Sequence, residues 1–168
     1  MPTTETFTTY ITSPLGTLEI VGNEIEINAT NFKENVENQG TNFDNLPQLM
    51  QRCIGQLQAY FEGVLQVFDF PISQKGTDFQ QKVWAELLNI PFGKTCSYLA
   101  LSRKIGDEKS IRAVGTTNGK NQLAIIVPCH RVIGSNGDLT GYAGGLWRKR
   151  WLLEHEQKVA HGGLQTLF

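Results

Sequence analysis

Past Pro71–Gly76 the hydrophobic pattern of the chain becomes helical, after a mixture of strand and helix periods, and that change restricts the architectures open to it. Before that segment, Phe7–Ile11, Thr17–Val21 and Glu24–Ala29 alternate apolar with polar residues and carry many β-branched side chains, which predicts three strands. Ser13-Pro14-Leu15-Gly16 reads as the turn between the first two. The polar, Asn-rich stretch Thr30–Asn45 is expected to be a loop. Leu46, Leu49, Met50, Cys53, Leu57, Tyr60 and Phe61 then fall at helical spacing, with Gly63 as the stop and Val64–Phe70 as a returning strand.

Past Gly76 the period is helical. Thr77 or Asp78 can cap a helix with Phe79, Val83, Trp84, Leu87 and Leu88 on its apolar face, and Ile90-Pro91-Phe92-Gly93 stops it. Ser97 can cap a short helix through Leu101 and Ile105, ended by Gly106, and Ser110 can cap another over Ile111–Thr117. Two short helices joined by a Gly-containing turn make a helix-turn-helix candidate. A Gly-rich loop, Gly134–Gly145, leads to a last helix over Leu146–Glu156. The expected fold is therefore α+β: a small α/β lobe over residues 1–75, then a mostly helical domain over residues 76–168.

Charge follows the same division. The net charge of −1 conceals three basic against nine acidic residues in 1–75, and 12 basic against seven acidic in 76–168. Only the second part is suited to a polyanion, because phosphate contacts come from Lys and Arg. The longest apolar run, Leu123–Val127, is too short to span a bilayer. Met1–Thr12 has neither a basic start nor an apolar stretch, so no signal peptide is expected and the protein is read as cytoplasmic, or nuclear in a eukaryote.

The three cysteines, Cys53, Cys96 and Cys129, are odd in number and far apart. This argues against a disulfide framework or a zinc finger and favours reduced thiols, with no metal. Cys53 lies on an apolar helical stripe and reads as a core thiol. Trp84, Trp147 and Trp151 read as packing residues, and His155 and His161 as solvent-facing. Cys129 differs from the other thiols. It ends a buried apolar approach strand, Ile125-Ile126-Val127, with Pro128 before it and His130 and Arg131 after it. The thiolate is the nucleophilic form, and a neighbouring base and positive charge favour it. A Cys-His pair alone is also common in purely structural settings.

The wider pattern resembles the O6-alkylguanine-DNA alkyltransferases. The resemblance runs in order from Gly76-Thr77-x-Phe79-Gln80-x-x-Val83-Trp84 through Ile90-Pro91-Phe92-Gly93-Lys94-Thr95-x-Ser97-Tyr98, Arg112-Ala113-Val114-Gly115 and Asn121. It continues through Val127-Pro128-Cys129-His130-Arg131-Val132-Ile133-Gly134 and Gly141-Tyr142-Ala143-Gly144-Gly145 to Lys149-Arg150-Trp151-Leu152-Leu153-x-x-Glu156. The first 75 residues resemble the family only in general shape, as its small ribonuclease-H-like lobe.

The resemblance implies irreversible, single-turnover transfer of an alkyl group from O6-alkylguanine in DNA to Cys129, and leaves open whether O4-alkylthymine is also a substrate. It implies that His130 takes the thiol proton through a water, that Glu156 orients His130, and that Tyr98 protonates the departing guanine. Arg112 is the implied finger that enters the DNA stack, and Asn121 the brace of the active-site turn. Val132, Ala143, Tyr142, Thr117 and Arg131 are expected on the substrate or DNA side. The implied partner is double-stranded DNA, bound from the minor groove with the alkylated base flipped out. A monomer without a cofactor is expected.

Gln122 stands where relatives often carry proline, Ser102 where alanine is common, and Thr116-Thr117-Asn118 where smaller or apolar residues are common. Two other readings remain open at this point. A non-enzymatic lesion-binding module of the same fold would replace the cysteine, and a thiol hydrolase using Cys129 and His130 would need an acyl-oxyanion loop that is not apparent.

Overall fold

The computed structural model describes residues 4–34, 36 and 43–162. It divides into two compact units, Met1–Gln74 and Lys75–Phe168.

The first unit is built on an antiparallel meander of β1 (Phe7–Ser13), β2 (Gly16–Gly22) and β3 (Ile27–Lys33), in the order β1-β2-β3. The hairpin closes at Ser13↔Gly16, where Gly16 adopts φ 99° and the Ser13 hydroxyl donates to its carbonyl at 2.7 Å. Period-2 alternation sends Ile11, Leu18, Ile20 and Ile27 inward. Helix α1 (Gln48–Phe61) supplies Met50, Cys53, Ile54, Leu57 and Tyr60 to the buried set, which agrees with the helical spacing. Burial pushes the Cys53 thiol up to about 12, so it is an inert core group.

Two expectations fail here. The third strand starts at Ile27 rather than Glu24, because the Asn23 carboxamide accepts the Ile25 and Glu26 amides and folds that stretch into a turn. The strand then runs on to Lys33, into the stretch expected as loop; residues 35 and 37–42 of that stretch lie outside the described residues. Val64–Phe70 forms no strand. Val64 and Val67 stand 75% and 73% exposed, and the segment is held by an Arg52–Asp69 ion pair and a Gln56–Asp69 hydrogen bond. Pairing to β3 begins only at Ile72.

The second unit holds α2 (Asp78–Leu87), β4 (Cys96–Ser97), α3 (Tyr98–Ile105), α4 (Ile111–Gly119), β5 (Val132–Ile133) and α5 (Leu146–Ala160). A reciprocal capping box joins Thr77 and Gln80 at the start of α2. Ser97 caps α3, and Gly106 ends it in the left-handed conformation with φ 100°. Ser110 does not cap α4; its hydroxyl donates to the Asp107 carbonyl, and Asp107 caps a 3-10 turn over Glu108–Ser110 instead. Trp84 and the half-buried Trp151 pack as expected, and Trp151 stacks on a half-buried His155. Trp147 does not: it is 56% exposed, with the Arg148 guanidinium over its ring. Replacing the exposed Thr77 by Ala removes the α2 cap and is expected to cost about 1 kcal/mol, read as an earlier denaturant midpoint with an unchanged slope.

Candidate active site

The apolar residues before Cys129 form no approach strand. Asn121 shapes them into a turn: its amide nitrogen donates to the Val127 carbonyl at 2.8 Å, and its oxygen accepts the Leu123 amide at 3.1 Å. The Val127 amide bonds back to Leu123, and the buried Ile125 adopts φ 73°. A β-branched residue in that region carries backbone strain, of about 1–3 kcal/mol, so the packing around it must hold it there. Pro128, at φ −81° and ψ 62°, forms an inverse γ-turn, closed by the Cys129 amide on the Val127 carbonyl at 2.8 Å. Cys129–Arg131 then make one 3-10 turn.

Directly after it, β5 pairs in parallel with β4: Cys96↔Val132 and Ser97↔Ile133. Because β4 ends at the cap of α3, whose first residue is Tyr98, this short ladder fixes the phenol relative to the cysteine turn. The Tyr98 hydroxyl donates to the Thr140 carbonyl at 3.2 Å. Burial raises its pKa, so it is a proton donor at neutral pH.

Glu156, on α5, is 1% exposed and receives three side chains or backbone groups. His130 Nε2 lies 2.7 Å from its Oε2, Arg131 donates from Nε and Nη2 at 2.8 and 3.0 Å, and the Gly93 amide donates at 3.2 Å. Burial alone would raise the carboxyl pKa; His130 and Arg131 more than offset it and hold the group well below the usual carboxylate range. Burial pulls His130 below its ordinary value, against the attraction of Glu156. A neutral imidazole therefore donates Nε2–H to an ionised Glu156. Its Nδ1 is buried with no hydrogen-bond partner among the described residues. Burial also raises the Cys129 thiol, while Asn121 and Lys149 pull it down.

Lys149 was not picked out as a site residue from sequence. It is fully buried, and its ammonium donates to the Val132 carbonyl at 2.6 Å and the Thr140 carbonyl at 2.7 Å, with burial lowering its pKa to about 8. It thus ties the strand after Cys129 to the Gly-rich loop and to the acceptor used by Tyr98. A charged residue on a helix gives no sign in sequence that it points inward.

Two residues expected at DNA lie inside. Arg131 is 6% exposed, its guanidinium fixed on Glu156 and on the Ile90 carbonyl at 2.6 Å. Thr117 is 4% exposed, and its carbonyl accepts the Trp84 indole N–H at 3.1 Å. Arg112 is exposed at the start of α4, and Ala143 is exposed in the Gly-rich loop. Val132 is buried, and the Tyr142 hydroxyl is buried without a partner among the described residues. No cluster of three or more His, Cys, Asp or Glu side chains is placed to hold a metal ion among the described residues.

The ribonuclease-like domain of the 6-O-methylguanine DNA methyltransferases matches residues 6–74, and their DNA-binding domain matches residues 78–158. The chain belongs to the 6-O-methylguanine DNA methyltransferase family. Among curated members of that family, the methylated-DNA–protein-cysteine methyltransferase of Mycobacterium tuberculosis is 46% identical over 159 residues, covering 94% of this chain and 96% of that protein. The constitutive methylated-DNA–protein-cysteine methyltransferase of Bacillus subtilis is 41% identical over 157 residues, covering 89% and 93%. The solved O6-methylguanine methyltransferase of Mycobacterium tuberculosis superposes with a TM-score of 0.81 at 42% identity, over 95% of this chain and 98% of that one. A structure of Mycobacterium tuberculosis OGT in complex with DNA gives 0.81 at 43%, over 90% and 93%. The α+β reading and the ribonuclease-like first lobe agree with these matches. Among the described residues no helix is long and apolar enough to cross a membrane.

The buried acid–base system makes stability fall on acidification. The folded pKa of His130 is below its ordinary 6.5, so the unfolded chain binds a proton first as pH drops through 6.5, and this favours unfolding. Glu156 adds the same sign below its ordinary 4.5. Thermal melts between pH 7.5 and 5 are expected to show a falling midpoint, and His130→Asn should flatten the upper part of that slope.

Proposed function

We propose that this protein repairs DNA by moving the alkyl group of O6-alkylguanine onto its own Cys129, once per molecule. The observation that carries the reading is a cysteine on a braced turn beside a neutral imidazole whose other nitrogen is held by an ionised carboxylate. The M. tuberculosis and B. subtilis relatives carry the name of this activity, and the DNA-bound M. tuberculosis OGT shows that such a protein engages DNA.

The chemistry balances with groups of this chain. The Cys129 proton passes through a water to His130 Nδ1, and Glu156 stabilises the imidazolium. The sulfur attacks the alkyl carbon, the carbon–O6 bond breaks, and Tyr98 protonates the departing guanine. Sulfur is a soft nucleophile suited to displacement at carbon, and the thioether formed is a very poor leaving group. This accounts for single turnover without a cofactor. The alkyl group is inaccessible within a duplex, so the base must be flipped out, and the exposed Arg112 fills the space left in the stack. Arg131 is a positioning residue, neutralising Glu156 so that the carboxylate stays ionised in a dry site. Its three reduced thiols support a reducing compartment, the cytoplasm or the nucleus of a eukaryote.

Incubation with duplex containing O6-methylguanine is expected to add one methyl group to the Cys129 peptide, and none to Cys129→Ala, by mass spectrometry. Unmodified Cys129 after full exposure overturns the reading. Lesion binding without alkyl loss would favour a recognition module, and repeated ester turnover a hydrolase. Arg112→Ala is expected to slow transfer from duplex by about tenfold or more, the loss of at least about 1.4 kcal/mol of the support for flipping, and to leave transfer from the free O6-alkylguanine base nearly unchanged.

A further inference from the structure

Gly93 is buried and faces α5 with backbone alone. It is the third residue of a turn closed by the Lys94 amide on the Pro91 carbonyl at 3.1 Å, and its φ of 78° suits glycine. A β-carbon there would lie 2.7 Å from the β-carbon of Ala160, so no side chain at this position can hold the loop to the helix. The amide and the carbonyl of Gly93 remain, and two adjacent residues of α5 take one each. Glu156 accepts the amide at 3.2 Å, a long contact to an oxygen already shared with Arg131. Gln157, 7% exposed, donates from Nε2 to the carbonyl at 2.8 Å. The shorter bond, from Gln157, is the firmer of the two attachments.

The other end of the same loop holds Arg131. Its Nη1 donates to the Ile90 carbonyl at 2.6 Å, while Nε and Nη2 reach Glu156. The bonds form a closed circuit: Gln157 to Gly93, along the loop to Ile90, from Ile90 to Arg131, and from Arg131 to Glu156, the residue beside Gln157. We propose that Gln157 is a positioning residue, which anchors the 90–93 loop so that Arg131 stays on Glu156 and His130 stays free to act as the base. Its bearing on alkyl transfer rests on the reading of Cys129 as the acceptor. The charged groups acting on His130 are Glu156 and Lys149 from α5 and Arg131 beside it, with the Cys129 thiol before it. Lys149 is tied elsewhere, to the Val132 and Thr140 carbonyls. Without the Gln157 donor the Gly93 carbonyl is buried and unpaired, so the loop relaxes, the Ile90 carbonyl moves, and Arg131 follows it away from Glu156. The carboxylate, less neutralised, then draws a proton to His130 more strongly. The motifs that mark the family in sequence end at Glu156, and a glutamine one residue further along a helix carries no sign that it points inward.

The test compares single-turnover methyl transfer from saturating duplex containing O6-methylguanine, between pH 5 and 8, for the native protein, Gln157→Met and Thr77→Ala. Methionine keeps the length of the side chain and removes the donor. Thr77→Ala loosens the exposed start of α2 and controls for a general loss of stability. The acidic limb of the Gln157→Met profile is expected to move up by about half a pH unit or more, which slows transfer about threefold on that limb and leaves the plateau near the native rate. Thr77→Ala is expected to melt earlier with its limb in the native place. If Gln157→Met does not fold, as judged by circular dichroism, Gln157→Ala serves the same comparison. A limb that stays at the native pH in the Gln157 variant, or that moves equally in Thr77→Ala, overturns the role of Gln157 while leaving alkyl transfer standing. Absence of transfer by the native protein at every pH overturns the transfer reading itself, and the titration of the His130 ring by nuclear magnetic resonance then decides the role of Gln157 by the same shift or its absence.

Discussion

The buried carboxylate of Glu156 is the constraint on which the second unit is organised. A charge with 1% exposure is tolerable only if it is fully paired, and three residues converge to pair it. Arg131 supplies a two-pronged guanidinium, His130 an imidazole N–H, and Gly93 a backbone amide. These contacts fix the turn Cys129–Arg131 from behind, the loop after α2 from the side, and the register of α5. They also decide the protonation state of the site. With Arg131 neutralising Glu156, His130 has no need to carry a charge in a dry environment, and it is left as a base.

The front of the same turn is held differently. Asn121 and Asn118 each use a side-chain amide to secure a carbonyl of the cysteine segment, at Val127 and Cys129. Lys149 secures the next carbonyl, at Val132, and links it to Thr140 and so to Tyr98. Every such bond goes from side chain to backbone, which suits a segment with a strained Ile125 and only two residues of ladder. A regular strand would satisfy these carbonyls by itself but could not bend the chain to present the cysteine. The cost of the irregular path is met by buried polar side chains drawn from α4, the residues just after it, and α5.

Much of this was legible in the sequence. Alternation located β1 and β2, helical spacing located α1 and α2, and Thr77, Ser97 and Gly106 marked helix ends, because each signal depends on neighbours a few residues apart. The order of motifs from Gly76 to Glu156 pointed to the family. The misreadings share a cause. Val64–Phe70 has strand-like composition, but a strand needs a partner edge, and none reaches it before Ile72. Ile125–Val127 looked like a buried strand because apolar runs do not distinguish a strand from a buried turn. Glu24–Glu26 was lost to a single carboxamide, that of Asn23.

The shift to a mainly helical pattern past Pro71–Gly76 therefore marked the boundary between the two units, and the sequence of motifs settled which residues were chemically available. Which of those residues face one another was a matter for the tertiary structure. Arg131 is expected from sequence on the DNA side and Lys149 carries no expectation, yet both are turned inward, one to a carboxylate and one to two carbonyls. Asn118 looks like a substitution on a helix, yet it is buried, with its amide nitrogen on the Cys129 carbonyl. The direction in which a polar side chain points depends on partners tens of residues away, such as Glu156 relative to His130. Local pattern carries no record of such partners, because it extends only a few residues along the chain.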